Sequence, residues 1–134
     1  MSTVGFDVDI AVCREAFLAR QQKARAERES RRMAALKDVR QAILDCMPGY
    51  PSVQRAYLFG SIVRPRAFRL DSDVDVAVGG IGAAEYFDLW RALERAAPDW
   101  AIDLRDISRP SLFAERVRET GLLIYERIDA GSQG

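Results

Sequence analysis

The pair of residues best suited to chemistry is Asp73 and Asp75, which lie two positions apart in a run of β-branched residues. In a β-strand, side chains at i and i+2 point to one face, about 6.6 Å apart along the backbone. Two carboxylates held side by side repel each other and resist burial, so they need a compensating positive charge. A divalent cation that prefers oxygen ligands, such as Mg²⁺, supplies that charge. The pair therefore predicts a metal site.

A third carboxylate lies in a later predicted strand. Asp103 stands between Ile102 and Leu104, so in an extended strand its side chain faces away from both neighbours. If this strand adjoins the strand that contains Asp73 and Asp75, three carboxylates converge on one face. Such a set can hold two Mg²⁺ ions about 3.5–4 Å apart, which clamp the attacking and leaving oxygens of a phosphoryl or nucleotidyl transfer. Asp103 could then be both a metal ligand and the proton acceptor for the incoming hydroxyl.

A turn of small residues upstream is suited to binding phosphate. Gly60 allows close approach of the backbone, and Ser61 offers an N–H and a hydroxyl at the start of a helical turn. Arg64, and with weaker support Arg66, can neutralise a triphosphate. The chain has no histidine, which excludes Ser-His-Asp chemistry, histidine-ligated zinc and a histidine general base. Any catalysis must therefore use carboxylates, hydroxyls, arginines and bound metal.

The composition limits the remaining classes of function. The 134 residues are enough for one ordinary domain, and 49% of them are hydrophobic without a long apolar run, so we expect a soluble protein with no membrane partner. The N-terminus lacks the pattern of a signal peptide, which predicts a cytoplasmic location. The formal net charge is zero, which argues against direct binding of nucleic acid.

The elements that must position these residues follow from the spacing of apolar residues and from Pro and Gly. There is neither Pro nor Gly from about Asp9 to Met47, which predicts one long helix or a broken pair. Downstream, the patterns predict strands over 53–59, 73–78 and 100–107, helices over 83–97 and 111–120, and a last apolar run over 122–125. The predicted fold class is α+β, a small mixed β-sheet flanked by helices with a long N-terminal helix.

The N-terminal helix differs in character along its length. An apolar stripe that includes Met33, Leu36 and Ile43 is long enough to pack on a sheet, whereas residues 21–32 are rich in arginine and poor in large apolar residues. We predict an N-terminal helical arm over residues 1–32, a catalytic domain over 33–128 and a disordered tail over 129–134. A surface helix folded back on the domain is an equally good interpretation of the first segment.

The motifs together resemble a known family. Leu58-Phe59-Gly60-Ser61, the spaced Asp73 and Asp75, and Asp103 resemble the signature of the DNA-polymerase-β-like nucleotidyltransferases. Within that superfamily, the chain is similar in size to the minimal nucleotidyltransferases, which pair with small helical HEPN proteins as toxin–antitoxin modules. The similarity covers roughly residues 33–127, and the loop after Ser61 departs from the usual pattern.

The resemblance implies a nucleotidyltransferase fold like the polymerase-β palm, two Mg²⁺ ions and ATP as donor. It assigns Asp73, Asp75 and Asp103 as catalytic and metal-binding residues, and Gly60, Ser61 and Arg64 as the nucleotide-binding residues. The implied function is transfer of AMP from ATP to a hydroxyl acceptor, a HEPN-type toxin that the chain neutralises as an antitoxin. A non-catalytic antitoxin that only binds the toxin, and transfer to a small molecule such as an aminoglycoside, stay open as alternatives. A homo-oligomer through the N-terminal helix is a further expected partner.

Overall fold

Four strands and three helices make up the computed structural model, which describes residues 3–128, with side chains from residue 9 onward. The predicted disordered tail, 129–134, lies outside the described residues. In chain order the elements are α1 (Thr3–Cys46), β1 (Arg55–Phe59), β2 (Val74–Gly79), α2 (Ala83–Ala96), β3 (Ile102–Asp106), α3 (Leu112–Thr120) and β4 (Leu122–Glu126). The predicted α+β class with a long N-terminal helix is confirmed, and the alternative of a broken helix pair is wrong because α1 is continuous.

The strands form one mixed sheet in the order β3-β2-β1-β4. β1 runs antiparallel to both β2 and β4, whereas β2 and β3 are parallel neighbours joined through α2. Their register places Asp75 directly opposite Asp103. The expectation that the two aspartate strands adjoin is therefore confirmed.

The two faces of the sheet have different coverings. Alternate residues of β1, β2 and β3, such as Leu58, Val76 and Leu104, are fully buried against α1 and α2 in the main core. On the opposite face, α3 covers a smaller buried cluster formed by Tyr57, Ala77, Ile107, Ala114 and Val117. The side chains of Asp75 and Asp103 belong to this second face by strand alternation, and both residues are half-buried. The catalytic candidates thus lie on the less covered side of the sheet.

The outer edge of β3 is covered by aromatic residues of α2. The Trp90 indole N–H donates to the Ile102 carbonyl at 2.8 Å, and the Tyr86 hydroxyl donates to the Leu104 carbonyl. These bonds occupy strand carbonyls that would otherwise be open to pairing with another chain. Phe87 is 63% exposed and stacks on Trp90, because the side of α2 that contains Leu89 faces the core.

The second half of α1 anchors the helix to the body. Ala35, Val39 and Ile43 are fully buried there. Just before them, the Arg31 guanidinium donates to the Leu70 carbonyl at 3.1 Å, and most residues from 9 to 27 are exposed. None of the helices in the described part of the chain is long and apolar enough to span a membrane.

Candidate active site

The turn that follows β1 is built around Gly60. Its φ of 75° lies in the left-handed region, and the chain then makes a short 3₁₀ turn over Gly60–Val63. A Cβ atom at this position would lie 2.3 Å from Oδ2 of Asp75. Glycine is therefore required both by the backbone conformation and by the contact between the turn and the carboxylate. Ser61 is half-buried beside it, and Arg64 is exposed at the end of the turn.

The carboxylates gather where β2 and β3 adjoin. Asp75 and Asp103 are paired in the parallel register, and Asp73 lies exposed just before β2 begins. Burial raises the pKa of Asp75 above its ordinary value, the charges of Asp103 and Asp73 raise it further, and Arg105 opposes them. Burial and the like charges both disfavour the ionised form of Asp75. A positive charge nearby would therefore favour that form.

The donor set fits Mg²⁺ in its chemistry, since carboxylate oxygens are the ligands this cation prefers. Within residues 9–128, however, no three acidic or cysteine side chains are close enough together to form a ready metal site. The Asp103 carboxylate accepts a bond of 3.3 Å from Nε of Arg105 instead. Arg105 thus supplies part of the positive charge, and assignment of the three aspartates as metal ligands stays a prediction.

A cavity of about 420 Å³ adjoins the Gly60 turn. It is lined by Phe59, Gly60, Val63, Arg64, Phe113, Arg116, Val117 and Thr120. Its volume is in the range of small-molecule sites, and two arginines at its wall suit an anionic ligand. Sequence reasoning missed Phe113 and Arg116, because nothing in their local pattern shows that α3 packs beside the turn. The edge-to-face contact between Phe59 and Phe113, at 5.4 Å between ring centroids, joins the two elements.

The loop between the turn and β2 is shaped by its own residues. The Ser72 hydroxyl accepts the backbone N–H of Arg69 at 2.8 Å, as expected for a serine that shapes a loop. Arg66 has a φ of 73° and lines a different hollow, beside α1. The structure therefore brings Gly60, Asp75 and Asp103 together, and it directs Arg66 away from them.

Comparisons with known proteins agree with this fold. A family model described as polymerase beta, nucleotidyltransferase, matches residues 41–130. A solved toxin–antitoxin with AMP-PNP is 25% identical, with a TM-score of 0.55, and the match covers 66% of this chain and 73% of that one. A comparison with curated proteins finds no match.

Two further solved structures share the fold. A mutant toxin–antitoxin containing MntA is 24% identical, with a TM-score of 0.54 and the same coverage of 66% and 73%. A tri-AMPylated Shewanella oneidensis HEPN toxin in complex with MNT antitoxin is 23% identical, has a TM-score of 0.50, and covers 66% of this chain and 71% of that one. Since the family model spans more than half of the 134 residues, the chain belongs to the polymerase beta nucleotidyltransferase family.

Proposed function

We propose that the protein is a Mg²⁺-dependent enzyme that transfers AMP from ATP to a hydroxyl of a HEPN-type toxin and so neutralises it. The observation that supports this most is the packing of the Gly60 turn against Asp75, with Asp103 as its neighbour in the sheet. Among similar structures, one toxin–antitoxin holds AMP-PNP, and another pairs an MNT antitoxin with a tri-AMPylated HEPN toxin. Because the reaction consumes ATP, we place it in the cytoplasm.

The proposal gives each candidate residue a role. The backbone and hydroxyl of Ser61, with Gly60 and the guanidinium of Arg64, bind the triphosphate. Three carboxylates, those of Asp73, Asp75 and Asp103, would hold Mg²⁺, which neutralises phosphate charge when it is bound. A carboxylate oxygen of Asp103 accepts the proton of the attacking hydroxyl. The acceptor oxygen then bonds to the α-phosphorus, the bond from that phosphorus to the β-phosphate oxygen breaks, and pyrophosphate leaves.

One observation favours a non-catalytic alternative. The contact between Arg105 and Asp103 occupies a carboxylate that catalysis needs, so the protein could neutralise a toxin by binding alone. Titration calorimetry with Mg-ATP separates these proposals. The catalytic proposal predicts that the protein binds ATP at millimolar concentration or below. The binding-only proposal predicts no detectable binding of ATP in that range.

The direct test is incubation of the protein with α-labelled ATP, Mg²⁺ and a HEPN-type protein, which is sought first in the adjacent reading frame. We expect label on the HEPN protein, no label when Mg²⁺ is chelated before the reaction, and loss of toxicity by the labelled protein. An unlabelled toxin that is nevertheless neutralised would replace this proposal with the binding-only one. Label found only on a small molecule would also contradict it.

We also propose that residues 1–32 act as an arm that associates with a second copy of the chain. Ile10 and Phe17 are seven residues apart on one face of α1 and are 49% and 52% exposed. Light scattering is expected to give a dimer mass for the wild type and a monomer mass for Ile10→Glu/Phe17→Glu. The matched control, Val12→Glu/Ala19→Glu, alters the opposite face and should leave the dimer intact. A monomeric wild type would contradict the proposal.

A further inference from the structure

Five arginines line a groove between α1 and the loop that leads to β2. Arg25, Arg28 and Arg32 come from the helix, and Arg66 and Arg69 come from the loop. The groove consists of two hollows of about 360 and 460 Å³ that adjoin at Arg28 and Arg66. Arg32 pairs with Glu29, and the ion pairs found among the described residues include none of the other four arginines. The groove therefore presents four guanidinium groups that form no ion pair with the protein.

Neighbouring contacts fix the two walls of the groove relative to each other. Arg31 donates to the Leu70 carbonyl at 3.1 Å and lies over the Trp100 ring at 4.6 Å. Arg32 donates to the Ile62 carbonyl at 2.9 Å. These contacts fix the loop to the helix at two separate points. Arg66 is also held at a φ of 73°, which is uncommon for a residue with a side chain.

An anionic ligand would relieve the repulsion among the four arginines. Like charges gathered in one groove disfavour the folded state unless opposite charge is supplied. Arginine forks bind carboxylates and phosphates with two parallel hydrogen bonds. The apolar part of the wall, Ala24, Ala26 and Pro65, suits the methylene stems of side chains. This lining therefore favours a ligand whose acidic groups are attached through apolar methylene stems.

The charges at the rim distinguish a peptide from a nucleic acid. Glu27, Glu29 and Asp71 also border the groove, and they would repel a continuous phosphate chain. A peptide can place its acidic side chains on the arginines and keep neutral residues opposite these carboxylates. A formal net charge of zero gives the chain no general attraction for nucleic acid. The observations therefore favour a protein ligand.

We propose that this groove is a docking site for an acidic segment of the protein acceptor, an inference that rests on the proposed function for the acceptor's identity. The loop that forms one wall begins at Ser61 and ends at Asp73. The same loop leads from the Gly60 turn to Asp73, so it connects the groove to the candidate site along the chain. Docking there would tether the acceptor to the enzyme and lower its KM without touching the reacting atoms.

Direct binding tests the groove without any transfer reaction. Fluorescence anisotropy with a labelled ten-residue peptide that alternates glutamate with alanine, at low salt, is expected to show binding to the wild type. Arg25→Glu/Arg28→Glu should weaken it about tenfold or more, since charge-assisted hydrogen bonds are lost. The matched control, Arg91→Glu/Arg95→Glu, reverses two exposed arginines of α2 and should leave binding unchanged. Equal binding by both variants, or no binding by the wild type, would overturn the proposal.

Two further measurements sharpen the test. A labelled deca-uridine RNA should bind more weakly than the peptide, and tighter RNA binding that Arg25→Glu/Arg28→Glu abolishes would make the groove a nucleic-acid site instead. In the transfer assay, Arg66→Glu/Arg69→Glu should raise KM for the protein acceptor about tenfold and leave KM for ATP unchanged. An unchanged acceptor KM would count against docking. If the wild type transfers nothing, the proposed function fails, and the peptide measurement still decides whether the groove binds acidic segments.

Discussion

Replacing Asp75 by asparagine is expected to lower AMP transfer about 1000-fold, equivalent to about 4 kcal/mol of transition-state stabilisation. Asp75 is half-buried, pairs with Asp103 in the register, and lies against the Gly60 turn. It is therefore placed where the carboxylates proposed to bind metal and the turn proposed to bind phosphate meet. Asparagine keeps the shape of the side chain and removes the charge that a cation requires.

The same substitution is expected to leave the stability of the metal-free protein unchanged or higher. Burial and the neighbouring carboxylates raise the pKa of Asp75, which means that its ionised form is disfavoured in the fold. A neutral side chain at this position relieves that repulsion. An enzyme that loses transfer while keeping its midpoint of thermal unfolding has lost chemistry and not structure.

The measurements for Asp75→Asn are the rate of label transfer, the thermal unfolding midpoint, and the Mg²⁺ dependence of ATP binding by calorimetry. Asp106→Asn is a matched control, because Asp106 is an exposed aspartate of the adjacent strand whose carboxylate accepts the Ser108 N–H at 2.9 Å. We expect transfer by this control to stay within about twofold of the wild type. Transfer by Asp75→Asn within tenfold of the wild type would remove Asp75 from the proposed mechanism.

Strand alternation was enough to predict which face Asp75 and Asp103 share. The rule that side chains i and i+2 point the same way depends only on local backbone geometry. Whether the two strands adjoin depends on the path of the chain through α2, which no local pattern specifies. The structure supplies that information by pairing β2 with β3 in parallel. The type of chemistry was therefore predictable from the sequence. Whether the carboxylates lie close together depended on the topology of the sheet.

Contacts between distant segments account for what sequence reasoning missed. Arg116 reaches the cavity beside Gly60 only because α3 crosses the sheet near the end of β1. Arg31 lies in an arginine-rich stretch that is typical of a solvated helix face, yet it contacts Leu70 and Trp100. Each contact joins residues at least 39 positions apart, where periodicity gives no signal. Sequence reasoning therefore predicted the strands accurately and missed the contacts between elements.

Replacing Gly60 by alanine is expected to reduce transfer at least about 100-fold and to lower the free energy of unfolding by about 1–3 kcal/mol. Two independent effects contribute. The φ of 75° disfavours any residue with a Cβ, and the new methyl group would lie 2.3 Å from Oδ2 of Asp75. Either the turn or the carboxylate must shift, so the backbone proposed to bind phosphate and Asp75 lose their relative position.

Gly79→Ala is the control, because its φ is not positive and a Cβ there would meet no atom within 4 Å. It should unfold at the wild-type temperature and transfer AMP at the wild-type rate. A Gly60→Ala protein with wild-type transfer and stability would show that the turn does not position Asp75.

A double-mutant cycle separates the two effects of Gly60→Ala. In an Asp75→Ala background the clashing carboxylate is absent, so Gly60→Ala should destabilise the protein by less than it does in the wild type. The destabilisation by Gly60→Ala in the Asp75→Ala background then measures the conformational strain at φ 75° alone. The difference in destabilisation between the two backgrounds measures the contact between the turn and the carboxylate. Equal destabilisation in both backgrounds would mean that Asp75 moves aside freely. The arrangement would then not be preorganised, and catalysis would have to rely on the bound nucleotide and metal to assemble the site.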